Sequence, residues 1–314
     1  FQKAVRMNLK ESDGVMIFDI VHIIRNGWWD ELKEALDETK LDEAGMIKGT
    51  VTCDGKGIAN VVVTDGLRCV TTDKNGIYHL PNLGNTRFVY ITTPAGYLTD
   101  CEQTIPRFYQ EIDLSKTNEY NFRLKKNPKD DSKHLFVLEA DVQAGLKEHW
   151  DLYAPIVDDY KQLIDQHTDR DVFGLNCGDI FWDTPATFFP PYIDKAKKLD
   201  IPIYRAIGNH DIDCNGATHE TSYRTFEGYF GPTHYSFNKG NAHYIVINNN
   251  FYVGREYFYI GYVDETTFKW LEEDLSYVPK GTLVFFITHI PTRITEQKRP
   301  FNYDYGMLAG ETIN

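Results

Sequence analysis

The chain has no apolar run long enough to cross a membrane as a helix. The longest near its start, Val15 to Ile24, carries Asp19 and His22 and falls well short of the roughly 20 residues such a helix needs. No basic stretch, apolar core and small-residue cleavage site stand in order after Phe1, so no export leader is read there. Cysteine is scarce: Cys53, Cys69, Cys101, Cys177 and Cys214 are odd in number and form no Cys-any-any-Cys pair. That excludes a zinc ribbon or a disulfide framework and leaves buried or idle thiols. Positive charge is also short. With 33 Lys and Arg against 46 Asp and Glu, the net charge is −13, and no basic run is longer than a pair such as Lys125-Lys126 or Lys197-Lys198. No patch tracks a phosphate backbone, which argues against nucleic acid as a partner. An anionic substrate stays possible where bound divalent cations reverse the local sign.

What is present is an ordinary globular chain. Its 314 residues suggest two domains. Residues 1–44 hold the Val15 to Ile24 run and an amphipathic helical pattern from Trp28 to Thr39, and no role is assigned to them. From Gly45 the pattern changes to short β-rich runs cut by Asp54-Gly55, Asp65-Gly66 and Asn75-Gly76. Such Asx-Gly pairs predict hairpins. Further strands are predicted at Arg87 to Thr93 and Glu119 to Leu124, about seven in all, the spacing of a β-sandwich.

This stretch resembles the carboxypeptidase regulatory-like, transthyretin-like family through Ile47-Lys48-Gly49-Thr50-Val51, the Thr72 to Tyr78 turn and Pro94-Ala95-Gly96-Tyr97. The resemblance implies an all-β Ig/transthyretin-like sandwich over residues 45–125, a scaffold, binding module or spacer without chemistry. It also implies a periplasmic or extracellular setting. Residues 126–132, charged and containing Pro128, read as a linker.

After it, apolar strands alternate with helices: His134 to Ala140, a helix at Tyr153 to His167, Asp171 to Cys177, a helix at Tyr192 to Leu199, and Ile203 to Ile207. An antiparallel pair at Thr233 to Asn238 and His243 to Asn249, a helix at Glu265 to Leu275 and a strand at Leu283 to Thr288 follow. This predicts an α/β layered sheet over residues 133–314. In such sheets functional groups gather at the strands' carboxyl ends. There stand Asp141-Val142-Gln143, Gly178-Asp179, Gly208-Asn209-His210-Asp211 and His289. Oxygen donors mixed with imidazole suit divalent ions such as Mn²⁺, Fe²⁺ or Zn²⁺. Asp141 and Gln143, two apart, project the same way on an extended segment and can share one ion. Singly, each group also fits a structural role: Asp179 in a turn, Asn209 and Asp211 as helix caps, Gln143 as a capping amide, His289 in the core.

Together these strings resemble a calcineurin-like metallophosphoesterase, through Asp141-Val142-Gln143, Gly178 to Asp183, Gly208 to Asp211 and Thr288-His289-Ile290-Pro291. The resemblance implies a four-layer αββα domain, two metal ions, Asp179 bridging them, Asn209 and His289 on the second ion, and His210 off the metals as the group that protonates the leaving oxygen. It implies hydrolysis of a phosphate ester, with a phosphorylated small molecule, glycan or lipid as substrate. Three departures stand out. Gln143 occupies a position where His is commonest. An acid is expected three residues after Asp179, where Trp182 stands, and Asp183 comes one later; with Asp211 it is a candidate for orienting the site. The family's final Gly-His-any-His motif does not follow His289, so three ligands per ion are counted, and the chain reads as a fragment expected to bind metal weakly. An alternative is a degenerate domain that binds a phosphorylated ligand without turnover.

Overall fold

The computed structural model describes residues 28, 46–82, 86–182, 185–213, 218–254 and 258–291. The N-terminal region is rich in short strands: β1 (Met46–Cys53), β2 (Lys56–Gly57), β3 (Val62–Thr64), β4 (Cys69–Thr71), β5 (Ile77–Pro81), β6 (Phe88–Ile91), β7 (Tyr97–Leu98), β8 (Cys101–Glu102), β9 (Ile105–Pro106), β10 (Tyr109–Glu111) and β11 (Phe122–Lys126). β1 alternates inward and outward, burying Ile47, Gly49, Val51 and Cys53, as a strand with one face on a core must. It pairs antiparallel with β2 and β5 and parallel with β11, which pairs in turn with β7. A second sheet runs in the order β10-β6-β3-β4. Asp54-Gly55 and Asp65-Gly66 close the expected hairpins, β1 with β2 and β3 with β4. Asn75-Gly76 does not: its turn carries the chain from one sheet to the other, because β5 pairs with β1 rather than with β4.

The segment that follows is mixed α/β: β12 (Leu135–Glu139), α1 (His149–Asp165), β13 (Val172–Asn176), α2 (Pro185–Ala196), β14 (Ile203–Arg205), α3 (Arg224–Phe230), β15 (Tyr235–Lys239), β16 (Ala242–Val246), β17 (Asn250–Gly254), β18 (Phe258–Gly261), α4 (Glu265–Ser276) and β19 (Leu283–Ile287). The first three strands form a parallel sheet, β12-β13-β14, whose central strand is buried along its whole length. Continuous apolar sequence in β13 follows from burial on both faces. β16 pairs antiparallel with β15 and parallel with β19, and β17 and β18 form a hairpin. The helices begin earlier than predicted, α1 at His149 and α2 at Pro185; Pro155 lies inside α1 and Pro190 and Pro191 inside α2, and internal prolines read as helix breaks in a sequence.

Two cores hold this together. Trp150, Tyr153 and Val157 of α1 pack with Phe189, Tyr192 and Ile193 of α2 in one of them. In the other, Phe173 and Tyr204 of the parallel sheet meet Phe237 and Tyr244 of the second sheet, with the Tyr204 and Phe237 rings stacked 3.6 Å apart. That same core continues into the N-terminal strands and includes Val51, Val63, Tyr90 and Phe122. Main-chain hydrogen bonds also cross: Ile203 N–H donates to Thr104 O at 2.8 Å and Asn238 N–H to Thr93 O at 2.9 Å. Even the charged segment 126–132 is pinned, with Lys126 closing β11 and the buried Asp131 accepting from Gly96 N–H at 2.5 Å.

One crossing contact is electrostatic. Glu227 of α3 is buried and pairs with Arg87 of the N-terminal region at 2.9 Å. Burial pushes its carboxyl up to about 7, with the Arg87 guanidinium pulling the other way. A carboxyl raised above its ordinary value holds its proton more tightly in the folded chain. Its stabilising contribution is therefore full below about pH 4.5 and is lost as pH rises through about 7. Urea unfolding of Glu227→Gln should show a flatter pH dependence across that window, missing a span on the order of 3 kcal/mol. An unchanged slope would assign the dependence to other groups.

Candidate metal centre

The loops that follow β12, β13 and β14 run side by side. Asp141 N–H donates to Gly178 O at 3.0 Å, Gln143 N–H to Asp179 O at 2.9 Å, and Trp182 N–H to Ala144 O at 3.2 Å. Asp141, Gln143 and Asp179 have φ of 54°, 45° and 53°. Left-handed backbone at non-glycine residues costs roughly 1–3 kcal/mol each and concentrates at functional sites. It also corrects the premise of an extended Asp141-Val142-Gln143 segment: each side chain reaches Asp179 from a backbone set by bonds to the neighbouring loop, not by strand alternation. Gly178 and Gly208 permit the close approach. A Cβ on Gly208 would overlap the backbone nitrogen and the carboxylate of Asp179, and Gly178 has φ +94°.

Asp179 is almost wholly buried. Its Oδ1 accepts from His210 N–H at 2.9 Å and lies 3.3 Å from His289 Nε2, while Oδ2 accepts from Gln143 Nε2 at 3.1 Å. His289 Nδ1 lies 3.0 Å from Cys177 O. A carbonyl can only accept, so that nitrogen carries the proton and Nε2 faces Asp179 and, at 3.0 Å, Asn209 Oδ1. Asp141, Asp179 and His289 each offer a ligand atom, all within 4.8 Å of one another. Burial acts to raise the Asp179 carboxyl, but the hydrogen bond and charge of His289 outweigh it and hold the group below its usual range. Burial likewise acts to lower His289, and Asp179 outweighs it and raises the imidazole.

The donor set fits a hard to borderline divalent cation. Carboxylates from Asp141 and Asp179, the amide oxygen of Asn209 and Nε2 of His289 converge from four separate strand ends. The Nδ1 bond to a main-chain carbonyl is the outer contact that orients a ligating imidazole. Gln143 fits less directly, because it presents its amide nitrogen to Asp179 and would have to turn over to offer oxygen.

His210 meets Asp179 through its backbone N–H, while its ring stacks on Trp182 with centroids 4.3 Å apart and planes 16° from parallel. Asp183 lies outside the described residues. Asp211 is fully buried; its Oδ1 accepts from Phe181 N–H at 3.0 Å and its Oδ2 from Gly208 N–H at 2.8 Å. Burial, reinforced by the Asp179 charge, pushes its carboxyl up to about 7. The other histidines stand elsewhere: His243 pairs with buried Asp274 at 2.8 Å, His234 bonds Gly66 O, and His219 stacks on Phe251.

Several contributors escape a sequence reading. Asn249 grips Ile290 at both ends, Nδ2 donating to Ile290 O at 2.6 Å and Oδ1 accepting from Ile290 N–H at 3.1 Å, and so fixes the turn after His289. Glu139, at the end of β12, accepts from Tyr153 Oη at 2.6 Å and Asn176 Nδ2 at 2.7 Å. A charge closing the apolar run Leu135 to Leu138 and three successive asparagines at 248–250 were the available signals.

The double bond made by Asp211 yields a test. Asp211→Ala strands two buried N–H donors at about 1–3 kcal/mol each, so chemical unfolding should show a loss of about 2–6 kcal/mol. A loss under about 0.5 kcal/mol, the range of ordinary surface substitutions, would mean that the two loops hold without it.

Residues 135–310 match the family described as calcineurin-like phosphoesterase, and residues 45–127 match the family described as the N terminal of calcineurin-like phosphoesterase. No curated protein matches. Among solved structures the chain is similar to a purple acid phosphatase, PPD1, isolated from yellow lupin (Lupinus luteus) seeds, at 12% identity and a TM-score of 0.36. That alignment covers 81% of this chain and 48% of the lupin protein, so the chain spans about half its length. The match over residues 135–310 takes in more than half of the sequence, and the chain belongs to the calcineurin-like phosphoesterase family.

Proposed function

We propose that the chain hydrolyses a phosphate ester with the help of two divalent ions, Mn, Fe or Zn. The observation that carries this reading is the convergence of Asp141, Asp179 and His289 within 4.8 Å from separate strand ends. Asp141, Gln143 and Asp179 would hold one ion; Asp179, Asn209 and His289 would hold the other, with the Asp179 carboxylate shared. When bound, such ions supply positive charge for the phosphate oxygens and make hydroxide available at neutral pH. The chain's residues orient and transfer protons around them. His289 is fixed by Cys177 O, Asp179 by His210 N–H, and the loops by Asp211. The His210 ring would hand a proton to the departing oxygen, a role supported by its place beside Asp179, with one face stacked on Trp182.

Around this core we read a domain over residues 133–314 layered as αββα. The Tyr204 and Phe237 stack between the two sheets and the α1 and α2 core on the outer face support it. We read residues 45–125 as an Ig/transthyretin-like sandwich, supported by two sheets around one core, and residues 126–132 as the connection. The substrate is read as a phosphorylated small molecule, glycan or lipid rather than nucleic acid, and the setting as periplasmic or extracellular. No helix of the described residues is long and apolar enough to cross a membrane. A second reading, phosphate binding without turnover, draws on Gln143, whose amide N–H engages the Asp179 carboxylate.

Turnover of chromogenic phosphomonoesters and phosphodiesters by the metal-loaded chain separates the two readings; binding without hydrolysis under Mn, Fe and Zn would favour the second. Asp179→Ala should lose bound metal, read by elemental analysis, and fall to background turnover. If it keeps both ions and its rate, the shared-carboxylate assignment is wrong. His210→Ala should keep its metal and lose about 10²- to 10⁴-fold in kcat, the range of general acid assistance, with little change in KM. Metal loss in step with activity would make His210 a ligand instead.

A further inference from the structure

The residue stacked on His210 is Trp182, and the pair is built rather than incidental. The rings lie 4.3 Å apart at 16°, close to the separation of stacked aromatics. Both backbones are fixed to each other's loops. Asp211 bonds Phe181 N–H, immediately before Trp182, and Gly208 N–H, two residues before His210. Asp179 Oδ1 takes the His210 N–H itself. Trp182 N–H donates to Ala144 O, and Gly145 leaves the room that the Trp182 side chain occupies. Yet the indole is 50% exposed. A tryptophan placed to contribute core packing would be buried; this one covers one face of an imidazole at the rim of the Asp141, Asp179 and His289 cluster.

We propose that Trp182 is a positioning residue that fixes the plane of the His210 ring by stacking. This rests on the phosphoesterase reading given above. An indole stacked on one face restrains the plane of the ring and itself occupies neither nitrogen. The consequence is a selective one: loss of the indole loosens that plane and lowers the frequency of productive geometry, while ligands to metal and phosphate stay in place. Misplacement on the ångström scale costs rates up to about 10²-fold.

The test uses the metal-loaded full chain and a chromogenic phosphate ester. Trp182→Ala should lower kcat by about 10- to 100-fold, keep KM within about twofold and retain metal stoichiometry, and Trp182→Phe should restore most of the rate. In a His210→Ala background, Trp182→Ala should add nothing, because the residue acts through His210. A readout free of turnover accompanies these: in isotope-labelled histidine spectra, the His210 ring signal, assigned by its loss in His210→Ala, should move when the indole is removed. Should Trp182→Ala fold poorly, Trp182→Leu keeps bulk without a ring and serves the same comparison. A kcat that is unchanged, a loss that multiplies with that of His210→Ala, a rise in KM alone, or an unmoved His210 signal would each overturn the proposal. Wild-type protein that turns over no ester under any of the three metals overturns the phosphoesterase reading and this proposal with it, an outcome distinct from normal wild-type turnover with an indifferent Trp182.

Discussion

The carboxylate of Asp211 is the constraint on which the site's geometry depends. Its two oxygens satisfy one N–H on each of two loops, Phe181 after β13 and Gly208 after β14. It does so where no solvent reaches, and in such a place an unmet donor costs more than a made bond gains. The loops can approach that closely only because glycine stands at 178 and 208. Once they are joined, Asp179 is held between the His210 N–H, the His289 imidazole and the Gln143 amide. The left-handed backbone of Asp141, Gln143 and Asp179 is then a strain that the parallel sheet maintains. The side chains are thus brought together before any ligand arrives, while the Gln143 amide still presents its nitrogen to Asp179.

The N-terminal region covers the β14 edge of that sheet. Ile203 on β14 donates its N–H to Thr104, and beside it the buried Arg205 guanidinium donates to Thr104 Oγ1 at 2.7 Å while lying over the Phe230 ring. On the second sheet Asn238 donates to Thr93, and Ser236 and Thr92 join in a buried polar network around Asp274 and His243. Unpaired strand edges are templates for association. The strands before Lys126 therefore act on the site through the fold: they close β14, whose carboxyl end presents Asn209 and His210.

The parts of this arrangement legible in the sequence were local ones. Each short polar string directly follows an apolar run, so the strands and the ends bearing Asp141, Asp179, Asn209 and His289 could be read before any geometry. The antiparallel β15 and β16 pair and the α4 helix were legible for the same reason. What joined them was not. Asp211 reaches residues 3 and 30 positions away, and Asn249 reaches Ile290 across 41; no local pattern marks such partners. Alternation carries no sign of φ, so Asp141 and Gln143 looked like strand neighbours when both are left-handed. Asn75-Gly76 carried a hairpin signal because turn chemistry reports the turn and not the partner, and β5 found β1 instead. Trp182 stood where an acid was expected, and only the stack on His210 shows what an indole does there.

Burial is unevenly shared among the converging groups, and the unevenness gives the site a direction. Asp179, Asn209 and Asp211 are buried and His289 nearly so, whereas Asp141 is exposed, Gln143 and His210 are intermediate and Trp182 is half exposed. Solvent, and any ligand arriving through it, therefore meets the cluster from the side bounded by Asp141 and Trp182. The buried side holds the charge that must not move, with each oxygen of Asp179 already bonded. The exposed side holds the Asp141 carboxylate, the Gln143 amide and the His210 imidazole, one face of which is covered by the Trp182 ring. Such a division follows from the dielectric. A carboxylate in the interior stays charged only while its partners stay put, so Asp179 sits on the buried side among its partners, and Asp141 and Trp182 stand at the rim where water reaches them.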